Sequence, residues 1–211
     1  MTVRVGTIWI TGLSASGKTT LGQRLTAGLV RHGFPNVVFL DGRVGHDGDF
    51  LSVGSMGHDA AVAMEEVRER VGVVGFASGD RSSSALKKAR FARDYNRLGK
   101  IAVVTGITPL RTTRESVRAL FPNFTEVFLD CPVEVCAARD YKGNYERARL
   151  GEIDDFVGVS TPYEFSDSAD LVIDTVGNSI DKCAEILIEH GRNFLTQTGT
   201  GTHARRQGLP A

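Results

Sequence analysis

The residues from Gly12 to Thr19 have the types and the spacing of a loop that binds phosphate groups. Their sequence, GLSASGKT, fits the pattern G-x-x-x-x-G-K-[ST]. Glycines allow the backbone of such a loop to curl so that successive N–H groups point at phosphate oxygens, and the lysine adds a positive charge. The pattern indicates a nucleoside triphosphate site when a strand precedes it and a helix follows it.

The residues on either side supply that context. Residues 7–11 are an apolar, β-branched segment, and Leu21, Leu25 and Leu29 recur on one face of a helix that would aim its positive end at the phosphates. We therefore predict that Lys18 contacts the β- and γ-phosphates and that the Thr19 hydroxyl holds Mg²⁺. The predicted phosphate-binding residues are Gly12, Ser14, Ala15, Ser16, Gly17, Lys18, Thr19 and Thr20.

The rest of the chain alternates short apolar segments with helical patterns. Further strands are predicted at 36–41, 101–105, 127–130 and 171–173, and helices at 59–71, 84–98, 109–120, from 132, at 141–153 and at 180–190. This alternation predicts an α/β fold: a three-layer P-loop sandwich of the nucleotide-kinase type, with a five-stranded parallel sheet and ligands at the carboxyl ends of the strands. We predict one domain over residues 1–195 and a disordered tail over 196–211.

Composition restricts the partners and the compartment. Lys plus Arg and Asp plus Glu both number 25, which argues against a nucleic-acid surface, and no apolar run has membrane-spanning length. Three scattered cysteines and the absence of a signal-peptide pattern predict reduced thiols and a cytoplasmic protein. The basic residues between Lys87 and Arg97 favour a solvated helix face, and a face toward an anionic substrate is the alternative.

Several later segments resemble the adenylylsulfate kinase family, which phosphorylates the 3′-hydroxyl of adenosine 5′-phosphosulfate. They are IWITGLSASGKTT at 8–20, FLDG at 39–42, FLDCPVEVC at 128–136, RDYKGNY at 139–145, ARLGEI at 148–153 and FVGV at 156–159. The resemblance runs from about residue 8 to residue 188, without the loop that follows Asp41. It implies an ATP- and Mg²⁺-dependent kinase of sulfate assimilation and a possible homodimer.

The resemblance also implies roles for residues outside the phosphate loop. Arg139 would lie on the adenine of ATP, because a planar guanidinium stacks on a ring as an ammonium does not. The residues implied to bind the acceptor are Phe76 and Phe156, which would clamp its adenine, and the cations Arg81, Arg111 and Lys142.

The segment after Asp41 departs from the family pattern. The family's D-G-D-N-x-R corresponds here to Asp41-Gly42-Arg43-Val44-Gly45-His46, and Ser84 stands where the family has asparagine. We predict Asp41 as the carboxylate near Mg²⁺ and the attacking hydroxyl, with Asp49 as the alternative. Three functions stay open: a kinase for adenylyl sulfate, a kinase for another nucleotide conjugate such as cytidine diphosphoramidate, and an ATP-binding scaffold that has lost phosphoryl transfer.

Overall fold

The strands of the protein form one parallel sheet. A computed structural model describes residues 3–34, 36–41 and 78–196. Its strands are β1 (Thr7–Thr11), β2 (Val37–Leu40), β3 (Ile101–Gly106), β4 (Phe124–Asp130) and β5 (Leu171–Asp174). They lie in the order β2-β3-β1-β4-β5, and every neighbouring pair is parallel. The predicted five-stranded parallel sheet is confirmed.

The register aligns the carboxyl ends of the central strands. Thr11, the last residue of β1, pairs with Gly106 of β3 and with Phe128 of β4. Leu40 pairs with Val104, so that Asp41, directly after β2, follows at the same edge of the sheet. This edge therefore collects the phosphate loop after β1 and the carboxylate after β2, as parallel sheets with ligand sites do.

Helices cover both faces of the sheet. They are α1 (Lys18–Arg31), α2 (Ser78–Arg97), α3 (Arg111–Arg118), α4 (Val133–Ala138), α5 (Asn144–Arg149) and α6 (Ile180–Thr196). Within β1, Ile8 and Ile10 join the core against α1 and α6, whereas Trp9 joins the core against α2. The alternation follows from the two-residue period of a strand, and it places a hydrophobic layer on each side of the sheet.

The core against α1 and α6 anchors the helix that begins at the phosphate loop. Leu25 and Leu29 are fully buried there, together with Leu187 of α6. A buried leucine side chain contributes about 1.5–3 kcal/mol, so this stripe holds α1 firmly against the sheet. A separate hydrophobic cluster lies under the phosphate loop and joins Leu13 to Tyr145 and Phe156.

Several predicted helix limits are wrong. The helix predicted at 84–98 begins at Ser78, and the one predicted at 109–120 spans only Arg111–Arg118, because Leu110 is extended. The helix predicted at 141–153 shortens to Asn144–Arg149: Gly143, with φ 65°, interrupts the backbone, and the Asp140 carboxylate accepts from Tyr145 N at 3.0 Å.

The end of the chain differs slightly from its prediction. Thr196, predicted to begin the tail, is the last residue of α6, which also extends beyond the predicted limit of residue 190. Residues 197–211 and the helix predicted at 59–71 lie outside the described residues. The described part of the chain contains no helix that is both long and apolar enough to cross a membrane.

Candidate nucleotide and phosphoryl-transfer site

The loop between β1 and α1 has a backbone shape that few residue types allow. Gly12, Ala15 and Gly17 have φ values of 149°, 59° and 98°. A Cβ at Gly12 would lie 2.9 Å from both the Leu129 carbonyl oxygen and the Ser16 hydroxyl, so that no larger residue fits. Ala15 in the left-handed region is uncommon, and such strain concentrates at ligand sites.

The first turn of α1 follows directly after this loop. Gly17 precedes the helix without a side-chain cap, and the first turn has no acidic residue that would neutralise the helix dipole. Thr19 and Thr20 are exposed in that turn. The leading N–H groups of a helix have no partner within the helix, so this end suits an anion.

Lys18 is held over the loop in an environment that disfavours its charge. Its ammonium donates to the Leu13 carbonyl and lies 3.5 Å from the Ser16 hydroxyl. Burial lowers the pKa of Lys18 from 10.5 to about 8; Cys136 and Asp41 oppose this shift, whereas Arg81 adds to it. The polyphosphate of ATP would offset the unfavourable burial of this cation, so the site is electrostatically suited to an anion.

Asp41 occupies the neighbouring position at the carboxyl edge of the sheet. The Thr105 hydroxyl donates to its carboxylate from the adjacent strand β3. Asp41 raises the pKa of Lys18 and Arg81 lowers it, so the charges of both predicted residues act on Lys18. Asp49, the alternative carboxylate, lies outside the described residues.

A buried hydrogen-bond network joins the loop to the end of β3. The Thr11 hydroxyl lies 2.7 Å from the Tyr163 hydroxyl and accepts from Thr108 N at 3.3 Å. Trp9 Nε1 donates to the Thr108 hydroxyl at 3.0 Å. Arg114 is also buried, and its guanidinium lies over the Tyr163 ring at 5.5 Å. The network fixes the strand end from which the phosphate loop departs.

Arg114 connects this network to two other segments. Its guanidinium donates to the carbonyl groups of Thr108 (2.8 Å), Pro109 (3.1 Å), Glu164 (2.8 Å) and Phe165 (3.2 Å). Its Nε lies 3.4 Å from the buried Glu126 carboxylate, as an ion pair. The segment after β3 and the segment at 163–166 are therefore held together by one side chain.

Arg139, the predicted adenine contact, lies on the β5 side of the loop. Its guanidinium donates to the Thr175 carbonyl oxygen at 2.9 Å. It also lies 3.5 Å from the Thr175 hydroxyl and 3.6 Å from the Cys131 sulfur. The residue is exposed at the surface. Thr175 directly follows β5, so it anchors the guanidinium while leaving the side chain accessible to a base.

The predicted acceptor residues differ from one another in burial and in contacts. Phe156 is buried, and its ring meets Tyr145 edge to face at 4.9 Å. Arg111 is exposed in an ion pair with Asp167 at 2.8 Å. Lys142 lies exposed over the Tyr141 ring at 5.6 Å. Phe76 lies outside the described residues, so the proposed ring clamp stays a prediction.

Sequence reasoning missed three residues of this region. Thr105 supports Asp41, Thr175 supports Arg139, and Lys88 turns inward, contrary to the solvated face predicted for its helix. Lys88 follows Ala85 by three residues and precedes Ala92 by four, and both alanines are buried. This helical spacing is the signal that could have placed Lys88 inside.

The residues that could hold a divalent cation are oxygen donors. Thr19 offers a hydroxyl at the start of α1, and Asp41 offers a carboxylate at the end of β2. Hydroxyl and carboxylate oxygens suit Mg²⁺, which binds through one or two such groups and the phosphates of a substrate. Among the residues described, no three His, Cys, Asp or Glu side chains cluster as a dedicated metal site would require.

Comparisons with known proteins agree with this geometry. The profile of a family described as adenylylsulphate kinase matches residues 4–50 and 55–174. The adenylyl-sulfate kinase of Synechococcus sp. (strain JA-3-3Ab) is 35% identical over 188 residues, which are 89% of this chain and 94% of that protein. A probable adenylyl-sulfate kinase of Bacillus subtilis is 34% identical, and the match covers 83% of that protein. The structure of the Mycobacterium tuberculosis APS kinase CysC with AMPPNP and APS superposes with a TM-score of 0.69 at 28% identity, over 90% of this chain and 99% of that chain.

Proposed function

Because the chain belongs to the adenylylsulfate kinase family, we propose that it transfers the γ-phosphoryl group of ATP to a hydroxyl of adenylyl sulfate. The observation that supports this most directly is the phosphate loop with Lys18 held over it, while Asp41 follows β2 at the same edge of the sheet. A loop of this kind accounts for the donor, and the neighbouring carboxylate and arginine suit an anionic acceptor that carries a hydroxyl group.

In the proposed reaction the acceptor oxygen attacks the γ-phosphorus in line with the leaving ADP. A new O–P bond forms, the bond to the β-phosphate oxygen breaks, and Asp41 receives the hydroxyl proton. Lys18 and the amides at the start of α1 neutralise charge on the transferred group, and such positioned charge supplies most of the catalysis in phosphoryl transfer. Mg²⁺, held by Thr19 and Asp41, would supply further neutralisation of the phosphates.

The acceptor side of the proposal is supported by fewer contacts. The charge of Arg81 acts on Lys18, whereas Phe76, Phe156, Arg111 and Lys142 are proposed as acceptor contacts from the family resemblance. The replacements after Asp41 favour a second candidate, a kinase in which this pocket takes another nucleotide conjugate such as cytidine diphosphoramidate. The homodimer also stays a prediction. We further propose a cytoplasmic location, which the buried free cysteines Cys131, Cys136 and Cys183 support.

One assay separates these functions. The purified protein with ATP and Mg²⁺ is supplied with adenylyl sulfate, with cytidine diphosphoramidate or with no acceptor, and the formation of ADP is measured. We expect stimulation by adenylyl sulfate. Stimulation only by the other conjugate would mean a changed acceptor, and ATP binding without stimulation by either compound would support the scaffold function.

Two sets of variants test the assigned roles. Lys18→Ala is expected to reduce turnover by about 10² or more, as the removal of a charge-stabilising donor does elsewhere; near-normal turnover would refute the mechanism. Asp41→Asn and Asp49→Asn are then compared. We expect the larger loss from Asp41→Asn, and the reverse order would assign the carboxylate to Asp49.

A further inference from the structure

Lys88 is a lysine buried inside the domain. Only 4% of its surface is exposed, and its ammonium donates to the Thr105 carbonyl oxygen at 2.6 Å. The neighbouring helix positions that face the sheet are the buried alanines Ala85, Ala89 and Ala92. Small residues let α2 approach the sheet closely, and Lys88 extends between them toward the carboxyl end of β3.

Burying the charged ammonium of this side chain disfavours folding. Desolvation lowers the pKa of Lys88 from 10.5 to about 8, with Asp41 opposing the shift and Arg81 adding to it. An uncharged side chain of similar length, such as methionine, would fill the same space without the cost of burying an ammonium. A buried charge that disfavours folding is typical of a functional site.

The Lys88 ammonium is connected to Asp41 through Thr105. Thr105 accepts from Lys88 through its carbonyl oxygen and donates to the Asp41 carboxylate through its hydroxyl. A Cβ at Gly106 would lie 2.8 Å from Lys88 Nζ, so the ammonium lies directly beside the end of β3. Lys88 and Asp41 thus approach the same strand end from α2 and from β2.

We propose that Lys88 is a positioning residue for phosphoryl transfer, whose buried ammonium holds the Asp41 carboxylate in place together with Thr105. The proposal rests on the function proposed for Asp41. The hydroxyl of Thr105 fixes one carboxylate oxygen, and the charge of Lys88 attracts the carboxylate toward β3. Asp41 is thereby kept in the orientation in which it would meet the attacking hydroxyl.

The kinetic test compares Lys88→Met with Arg90→Met, which removes a charge from an exposed position of the same helix. With ATP and adenylyl sulfate, Lys88→Met should lower kcat at least about tenfold while the KM for ATP stays within about twofold, because only a transition-state interaction is lost. In the Asp41→Asn background Lys88→Met should have little further effect. An unchanged kcat, an equal loss in both backgrounds, or an effect confined to the KM of the acceptor would overturn the proposal.

A second measurement does not depend on turnover. Thermal unfolding is followed by circular dichroism for the wild type, Lys88→Met, Asp41→Asn and the double variant. If Asp41 offsets the burial of Lys88, the change in Tm caused by Lys88→Met will be more positive in the Asp41→Asn background, whereas the change caused by Arg90→Met will be the same in both. Equal changes from Lys88→Met would show that the two residues are uncoupled.

The two proposals fail in different ways. A wild type that forms no ADP with adenylyl sulfate contradicts the proposed function, and the unfolding cycle still decides whether Lys88 acts on Asp41. An active wild type whose Lys88→Met and Arg90→Met variants behave alike contradicts the role of Lys88 only.

Discussion

The buried carboxylate of Glu126 offers the sharpest test of how this site is supported. Its side chain is 1% exposed and lies 3.4 Å from both Arg114 and Arg118, and the Ser166 hydroxyl donates to it. Glu126→Gln keeps the shape but leaves the Arg114 charge buried without a counter-charge. Loss of one partner of a buried pair costs about 3–5 kcal/mol, so we expect the free energy of unfolding to fall by that amount.

The assay is urea unfolding followed by circular dichroism, with thermal unfolding as a second measure. For a chain of this length each kcal/mol corresponds to about 2–4 °C, so Tm should fall by roughly 10 °C. Glu152→Gln is the matched control, because its pair with Arg147, at 3.0 Å, is about half exposed on both sides. Exposed pairs contribute about 0–1 kcal/mol, and the control should therefore stay close to the wild type.

A double variant shows whether the loss comes from the pair. Arg114→Met removes the unpaired cation from the Glu126→Gln protein, so the double variant should lose less stability than the two single changes added together. Additive losses, or a Glu126→Gln protein within about 1 kcal/mol of the wild type, would refute the assignment of Arg114 and Glu126 as a coupled buried pair.

Three further predictions concern the site itself. Gly12→Ala should weaken ATP binding at least about tenfold in calorimetry, because its Cβ would meet the Leu129 carbonyl and strain the loop; an affinity within twofold of the wild type would contradict the loop geometry. Arg139→Lys should raise the KM for ATP about tenfold at a similar kcat, since an ammonium cannot stack as a guanidinium does, and an unchanged KM would exclude the adenine contact. The free-energy cost of burying charged Lys88 is fully present below pH 8 and is lost as the pH rises toward 10.5. Lys88→Met should therefore raise the free energy of unfolding above that of the wild type by about 3 kcal/mol at most, and this difference should shrink over that pH range in urea titrations. An advantage that stays constant with pH would mean that Lys88 carries no burial penalty.

The sequence predicts the parallel sheet and the phosphate loop because both depend on local patterns. Each strand is a short apolar run, and the loop is a fixed spacing of glycine, lysine and threonine. The ends of the helices depend on other segments. The helix α3 begins at Arg111 because Leu110 is extended, and Arg114 binds the carbonyl groups of Thr108 and Pro109 that precede it.

The supporting residues of the site could not be read from single positions. Thr105 and Asp41 are 64 residues apart and meet only because β2 and β3 are neighbours. Arg139 and Thr175 meet because β4 and β5 pair. Lys88 is one of several basic residues of α2, and only the alanine spacing on that helix distinguishes it. Pairings of this kind follow from the order of strands, which local patterns do not determine.

Trp9 allows one part of this fold to be followed by its fluorescence. It is the only tryptophan of the chain, it is 1% exposed, and it lies three residues before the phosphate loop begins, with its indole N–H on Thr108. Its emission therefore reports on one place, the strand that ends at the phosphate loop, without interference from other indoles. A shift of that emission to longer wavelength would signal water reaching the junction of β1 and β3. Intrinsic fluorescence can thus follow the hydration of this junction in the unlabelled protein.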